Sequence, residues 1–211
     1  MSEPDTPTNE LPPAVEAAFA ALIHYDRGSP RGDLVPLDEA AKRSLDQPAE
    51  MARLEERLTA VLRSDAPLPA KEYVCRKLTL LGSTRCVPVL APLLQTNDLA
   101  DAARGVLEVL PCDAAAAALR DSLAKLTGAA LAGAVTSLGA RREQASVPLL
   151  TPLLHADDPA VVASAVVALG RIGGATASRA LQVWQPEAPS GMGALVADAL
   201  SESQVGAEQG R

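Results

Sequence analysis

Val87-Pro88-Val89-Leu90-Ala91-Pro92-Leu93-Leu94-Gln95-Thr96-Asn97-Asp98 returns sixty residues later as Val147-Pro148-Leu149-Leu150-Thr151-Pro152-Leu153-Leu154-His155-Ala156-Asp157-Asp158, with 7 of the 12 positions identical. A second landmark subdivides that interval. Leu81-Gly82, Leu110-Pro111, Leu138-Gly139 and Leu169-Gly170 follow one another at steps of 29, 28 and 31 residues. Sixty is therefore two periods of about thirty, and Ala114–Leu126 is a diverged middle copy. A fixed period of this length marks a chain built from stacked units.

Each period reads as two helices. In the best copy the first runs through Pro148–Ala156, opened by a proline whose missing N–H costs nothing in the first turn. Pro152 lies four residues further on and predicts a kink there. Asp157-Asp158-Pro159 stops that helix and caps the next, which spans Ala160–Leu169, with Gly170 expected as a left-handed C-cap. Asn97-Asp98 is expected to cap in the same way. Val162, Val166 and Leu169 stand at i, i+4 and i+7 and predict a buried stripe. Its counterparts are Val74/Leu78/Leu81, Ala103/Leu107/Leu110 and Leu131/Val135/Leu138. The alanines between them allow neighbouring helices to come close, and helix pairs this short must stack to bury their apolar faces.

The run Asp157-Asp158-Pro159-Ala160-Val161-Val162 through Ala168-Leu169-Gly170-Arg171-Ile172-Gly173 resembles the second helix of a HEAT-like repeat. The period of about thirty resembles the short form named after phycobilisome bilin lyases. The resemblance implies an all-α fold: an α-α superhelix, here a right-handed HEAT-like α-solenoid. Such repeats occur in scaffolds, adaptors, lyases and regulatory subunits alike, so the resemblance implies an architecture and leaves the activity open.

Ahead of the repeats, Pro12–Tyr25 and Pro48–Arg63 read as helices, with a turn-rich segment at Arg27–Asp33 and a short helix near Leu37–Arg43 between them. Met51, Leu54, Leu58, Val61 and Leu62 share one face of the second, opposite Glu50, Arg53, Glu56 and Arg57. The expected organisation is an acidic disordered tail over 1–10, a helical N-terminal cap over 11–66, repeats over 67–203 and a disordered tail over 204–211.

Composition narrows the function. The 211 residues include 41 alanines and 31 leucines but only four aromatics, two histidines and three cysteines. Histidine-dependent acid–base or metal chemistry and aromatic stacking platforms are therefore poorly supplied. The cysteines, 11 and 26 residues apart, suit neither a disulfide framework nor a zinc site. Residues 1–67 carry 13 acidic and 7 basic side chains, whereas 68–200 carry 11 of each. The repeat region lacks the basic track that nucleic-acid binding needs. No run reaches the roughly 20 apolar residues of a membrane span, and the N-terminus has no signal-peptide pattern. A cytoplasmic protein without cofactor or metal is expected.

Catalytic motifs are absent, and Gly170-Arg171-Ile172-Gly173-Gly174 follows a helix, which makes it an inter-repeat turn instead of a phosphate loop. The Tyr25–Asp33 segment is expected to hold a helix C-cap at Gly28, with Arg27 and Arg31 pairing with Asp26 and Asp33. Those two arginines are a secondary candidate for binding an anionic group.

In HEAT-like stacks the second helices line the concave face. Counting back 9, 6 and 2 residues from each terminal leucine gives Glu72/Cys75/Thr79, Asp101/Arg104/Glu108, Ala129/Ala132/Thr136 and Ala160/Ala163/Val167. The row is polar early and small and apolar late, the pattern of a docking strip. Asp101, Arg104, Glu108, Ala132, Thr136, Ala163 and Val167 are the candidate protein-binding residues. The expected function is a non-catalytic scaffold or adaptor that binds a partner protein, with a homodimer contact as one use of the strip. The alternative, implied by the repeat subtype alone, is a bilin lyase or isomerase handling an open-chain tetrapyrrole.

Overall fold

The computed structural model describes residues 11–208. Those residues form helices and connecting turns, with no strand among them. The chain divides after Gly82 into two compact units.

The first unit holds four helices: α1 (Pro13–Leu22), α2 (Val35–Arg43), α3 (Pro48–Arg63) and α4 (Leu68–Leu81). Each carries a proline in its first turn, where the lost N–H has no intrahelical partner. Phe19, Leu22, Leu34, Leu54, Leu58, Tyr73, Val74 and Leu78 form its core. Two polar ties join the helices. The Arg57 guanidinium donates to both Glu16 carboxylate oxygens at 2.8 and 2.9 Å and lies 4.8 Å over the Phe19 ring, linking α3 to α1. The buried Tyr73 hydroxyl donates to Asp38 Oδ1 at 2.8 Å, and Lys77 pairs with the same oxygen, linking α4 to α2. Helix α1 ends at Leu22, short of the expected Tyr25, and Gly28 is not left-handed. The following turn is closed by the Asp26 N–H, which donates to Ser29 Oγ at 3.0 Å.

The second unit is a stack of four helix pairs. The first pair is α5 (Val87–Leu90), continued by a 3₁₀ segment Ala91–Gln95, and α6 (Ala100–Val109). Then come α7 (Asp113–Ser122) with α8 (Gly128–Ala140), and α9 (Val147–Leu150) with its 3₁₀ continuation Thr151–His155 and α10 (Pro159–Ile172). The last pair is α11 (Gly174–Trp184) and α12 (Gly193–Glu208). The break predicted at Pro152 is present, and Pro92 makes the same one: at both the missing donor ends α-helical bonding and the chain tightens into 3₁₀ geometry. Asp158 caps α10 through the Ala160 N–H at 2.9 Å. Asn97 and Asp98 give α6 no side-chain cap; instead the Thr96 carbonyl accepts from the Ala100 N–H at 3.0 Å.

The even-numbered helices lie side by side, α6 on α8, α8 on α10 and α10 on α12. The expected stripes are buried, except that Leu131 stays half-exposed. The glycines of the Leu-Gly landmark have a different task from the expected one. Gly170 lies inside α10, which runs on to Ile172, and the left-handed cap is Gly173 at φ 66°. Gly139 likewise lies inside α8. A Cβ on Gly139 would stand 2.6 Å from Ala168 Cα, and one on Gly170 would stand 2.8 Å from Ala199 Cα. These glycines are needed for close helix contact and not for a turn. The chain also stays helical past residue 204, where the C-terminal tail was expected to begin; the rest of both expected tails, 1–10 and 209–211, lies outside the described residues.

Asp38 offers a test of the first unit. Burial alone would raise its pKa, but the hydrogen bonds from Lys77 and Tyr73 hold it below the usual carboxylate value. A folded pKa below the unfolded one gives stability that is present above the unfolded pKa and lost as pH falls through the folded value. Asp38→Asn should therefore cost about 1–2 kcal/mol at neutral pH. The difference from wild type should close as pH drops through the carboxylate range, read by urea denaturation at each pH. An equal deficit at both ends of the range would contradict this role.

Candidate protein-binding face

Three of the four expected rows fall on α6, α8 and α10 of the second unit, and the structure places all seven candidate residues there. Asp101 projects into solvent, its side chain 92% exposed. Arg104 and Glu108 are 25% and 32% exposed, because they bridge two helices. Ala132, Thr136, Ala163 and Val167 are half-buried on α8 and α10. The Thr136 hydroxyl donates to the Ala132 carbonyl at 2.9 Å, so its hydrogen is satisfied within α8. The fourth row is different. It sits on α4 in the first unit, and Cys75 within it is buried, its thiol pushed up to about 11 by desolvation.

The polar end of the face is a network. Arg104 Nη1 donates to Ser137 Oγ at 2.8 Å and pairs with Glu108 Oε2 at 3.3 Å. Ser137, fully buried on α8, donates to the same carboxylate oxygen at 2.7 Å. Arg104 lies along α8 over Gly133, where an added Cβ would meet its Nε at 3.0 Å. A few ångströms away, the Arg141 guanidinium donates to the carbonyls of Leu107, Glu108, Leu110 and Cys112 at 2.6–3.0 Å. Those of Leu107 and Glu108 belong to the last turn of α6, which Pro111 stops, whereas those of Leu110 and Cys112 also accept the backbone N–H groups of Cys112 and Ala115. Gln144 does the same for α10, its Nε2 donating to the Ile172 and Gly173 carbonyls at 2.9 and 3.3 Å.

Ser137, Arg141 and Gln144 escaped the reading of the sequence. Two signals were present. Serine stands one residue before Leu138, where the later copies have Ala168 and Ala199, and arginine follows directly after the Leu138-Gly139-Ala140 helix end.

Of the other candidates, Arg27 and Arg31 are exposed in the first unit, and no ion pair joins either to Asp26 or Asp33 among the described residues. The Asp26 carboxylate instead accepts from the Arg27 backbone N–H at 2.7 Å. Tyr73 is buried in the first unit against Asp38 and Trp184 is buried in the second, so neither supplies an aromatic surface to this face. Among the described residues no group of three or more His, Cys, Asp or Glu side chains is placed to hold a metal ion. No helix among them is long and apolar enough to cross a membrane.

Stacked helix pairs with one helix of each pair aligned in a row define an α-solenoid. A family model described as HEAT repeats matches residues 116–184, from within α7 to the end of α11, so this stretch of the chain is similar to HEAT repeats. No curated protein matches the chain.

Arg141→Ala removes the donor shared by four carbonyls between the last turn of α6 and the start of α7, and should cost about 2–3 kcal/mol in denaturant unfolding followed by helical circular dichroism. Arg141→Lys, a single ammonium in place of a planar fork, should recover only part of it. An unchanged midpoint for the alanine variant would show that water serves these acceptors equally well.

Proposed function

We propose that the protein is a non-catalytic, cytoplasmic scaffold or adaptor that binds a partner protein through the outward face of α6, α8 and α10. HEAT repeats commonly serve as protein-interaction scaffolds, and residues 116–184 are similar to them. The observation that carries the reading is the character of that face. On α8 and α10 its outward positions hold Ala132, Thr136, Ala163 and Val167, all small or apolar and all partly accessible. Small side chains let a partner's backbone come close and bury apolar surface without deep pockets. Asp101, with its carboxylate in solvent, supplies a charged contact at the α6 end. Arg104 and Glu108 shape that end, since their charges already satisfy each other and Ser137.

The charge of the face opposes nucleic acid. Asp101 and Glu108 outnumber Arg104, so a phosphate backbone would meet net repulsion. The exposed Arg27 and Arg31 provide a secondary contact for an acidic group on the partner.

Ala163→Glu places a carboxylate in the middle of the apolar part of the face. Partner retention on immobilised protein should fall by at least about tenfold, the equivalent of one lost apolar contact or one desolvated charge, with helical content unchanged. Equal retention by wild type and variant would remove this face as the binding site. Light scattering of both forms reveals whether the bound species is a second copy of the chain.

A further inference from the structure

The three seams between the even-numbered helices are not built alike. At α8–α10 and α10–α12 the contact is backbone on backbone: Gly139 against Ala168 and Gly170 against Ala199, with no room for a methyl group. One repeat earlier, Pro111 stands in the glycine's place and Ser137 in the alanine's. Helix α6 stops at Val109, so no glycine reaches α8. The seam is filled by polar side chains instead, Arg104 and Glu108 from α6 and Ser137 and Arg141 from α8 and its end. The Nε atoms of both arginines are buried without a hydrogen-bond partner among the described residues, and Arg104 Nε has only a longer ion-pair contact of 3.5 Å with Asp101. At the starts of the same two helices, an open cleft of about 450 Å³ separates Leu94–Asp101 from Lys125–Ala130. α6 and α8 are therefore bridged by polar side chains at one end and parted by a cleft at the other, and the α5–α6 pair also packs against α7.

We infer that the α6–α8 seam is a compliant joint, at which the α5–α6 pair opens as its own cooperative unit against a stiffer block from α7 to α12. Close-packed backbone contacts respond steeply to separation and resist opening, because a gap of half an ångström forfeits much of the contact energy. A side-chain bridge tolerates such movement: Arg104 and Glu108, paired with each other within α6, reach α8 through their hydrogen bonds to the Ser137 hydroxyl. Opening the joint changes the distance between Asp101 on α6 and the Ala129/Ala132 row on α8. It does so whether or not that face binds a protein.

Amide hydrogen exchange of the full chain, resolved by peptide, tests this directly. The expected result is lower protection over Ala100–Val109 than over Val161–Ile172. Arg104→Met should speed exchange in Ala100–Val109 about tenfold and leave Val161–Ile172 unchanged. Ser137→Ala, which removes the α8 hydroxyl that both α6 groups reach, should speed exchange in the same α6 segment. Equal protection of both segments would overturn the joint. So would substitutions that loosen both segments together.

Discussion

The second unit depends on one contact repeated at successive levels: a helix backbone resting on the next helix where glycine meets alanine. Gly139 against Ala168 and Gly170 against Ala199 bring α8, α10 and α12 nearer than any pair of side chains would allow. At that separation dispersion contacts run along whole helix faces, which an alanine-rich chain needs because each side chain buries so little area. The high alanine content, the small outward residues and the scarcity of aromatics then follow from one geometric requirement. The same requirement leaves the outward positions of α8 and α10 small, which gives the candidate binding face its character.

Where the contact fails, polar chemistry takes over. Pro111 ends α6 a turn too early for a glycine seat, and the Leu107 and Glu108 carbonyls of its last turn are collected by Arg141 from the following repeat. Arg104, Glu108 and Ser137 fill the remaining space. One substitution in the repeat pattern thus converts a backbone seam into a bridged one, and it turns two residues that looked like partner-reading groups into internal ties. Asp101, one turn earlier on the same helix, is the charge left facing outward. The first unit uses comparable ties, Arg57 to Glu16 and Tyr73 to Asp38, between helices whose faces are more conventionally apolar.

Periodicity carried most of the fold into view. The sixty-residue recurrence and the thirty-residue landmark located the helix pairs, the proline kinks and the buried stripes, because each arises from local spacing on a helix. The role of Gly170 was not visible that way. A glycine after a leucine near a helix end looks the same whether it turns the chain or admits a neighbour, and only the position of Ala199 distinguishes them. For the same reason Ser137, Arg141 and Gln144 were missed: their partners lie 28–34 residues away in the chain, across a repeat boundary. The seven residues of the candidate face were found together because equivalent positions in stacked repeats share a face. Which of them are tied inward depends on neighbours that no spacing reveals.

The backbone contact is tested most directly by comparing two glycine-to-alanine substitutions in denaturant unfolding. Gly105 lies in the interior of α6 with open space where its Cβ would be, so Gly105→Ala should stabilise, by up to about 1 kcal/mol, through helix propensity alone. Gly170 is equally helical but faces Ala199, so Gly170→Ala should destabilise by about 1–3 kcal/mol as α12 is pushed away. Opposite signs are the predicted result. If both substitutions stabilise the protein, the helices have room to spare at this seat and the glycine contact does not hold the stack together.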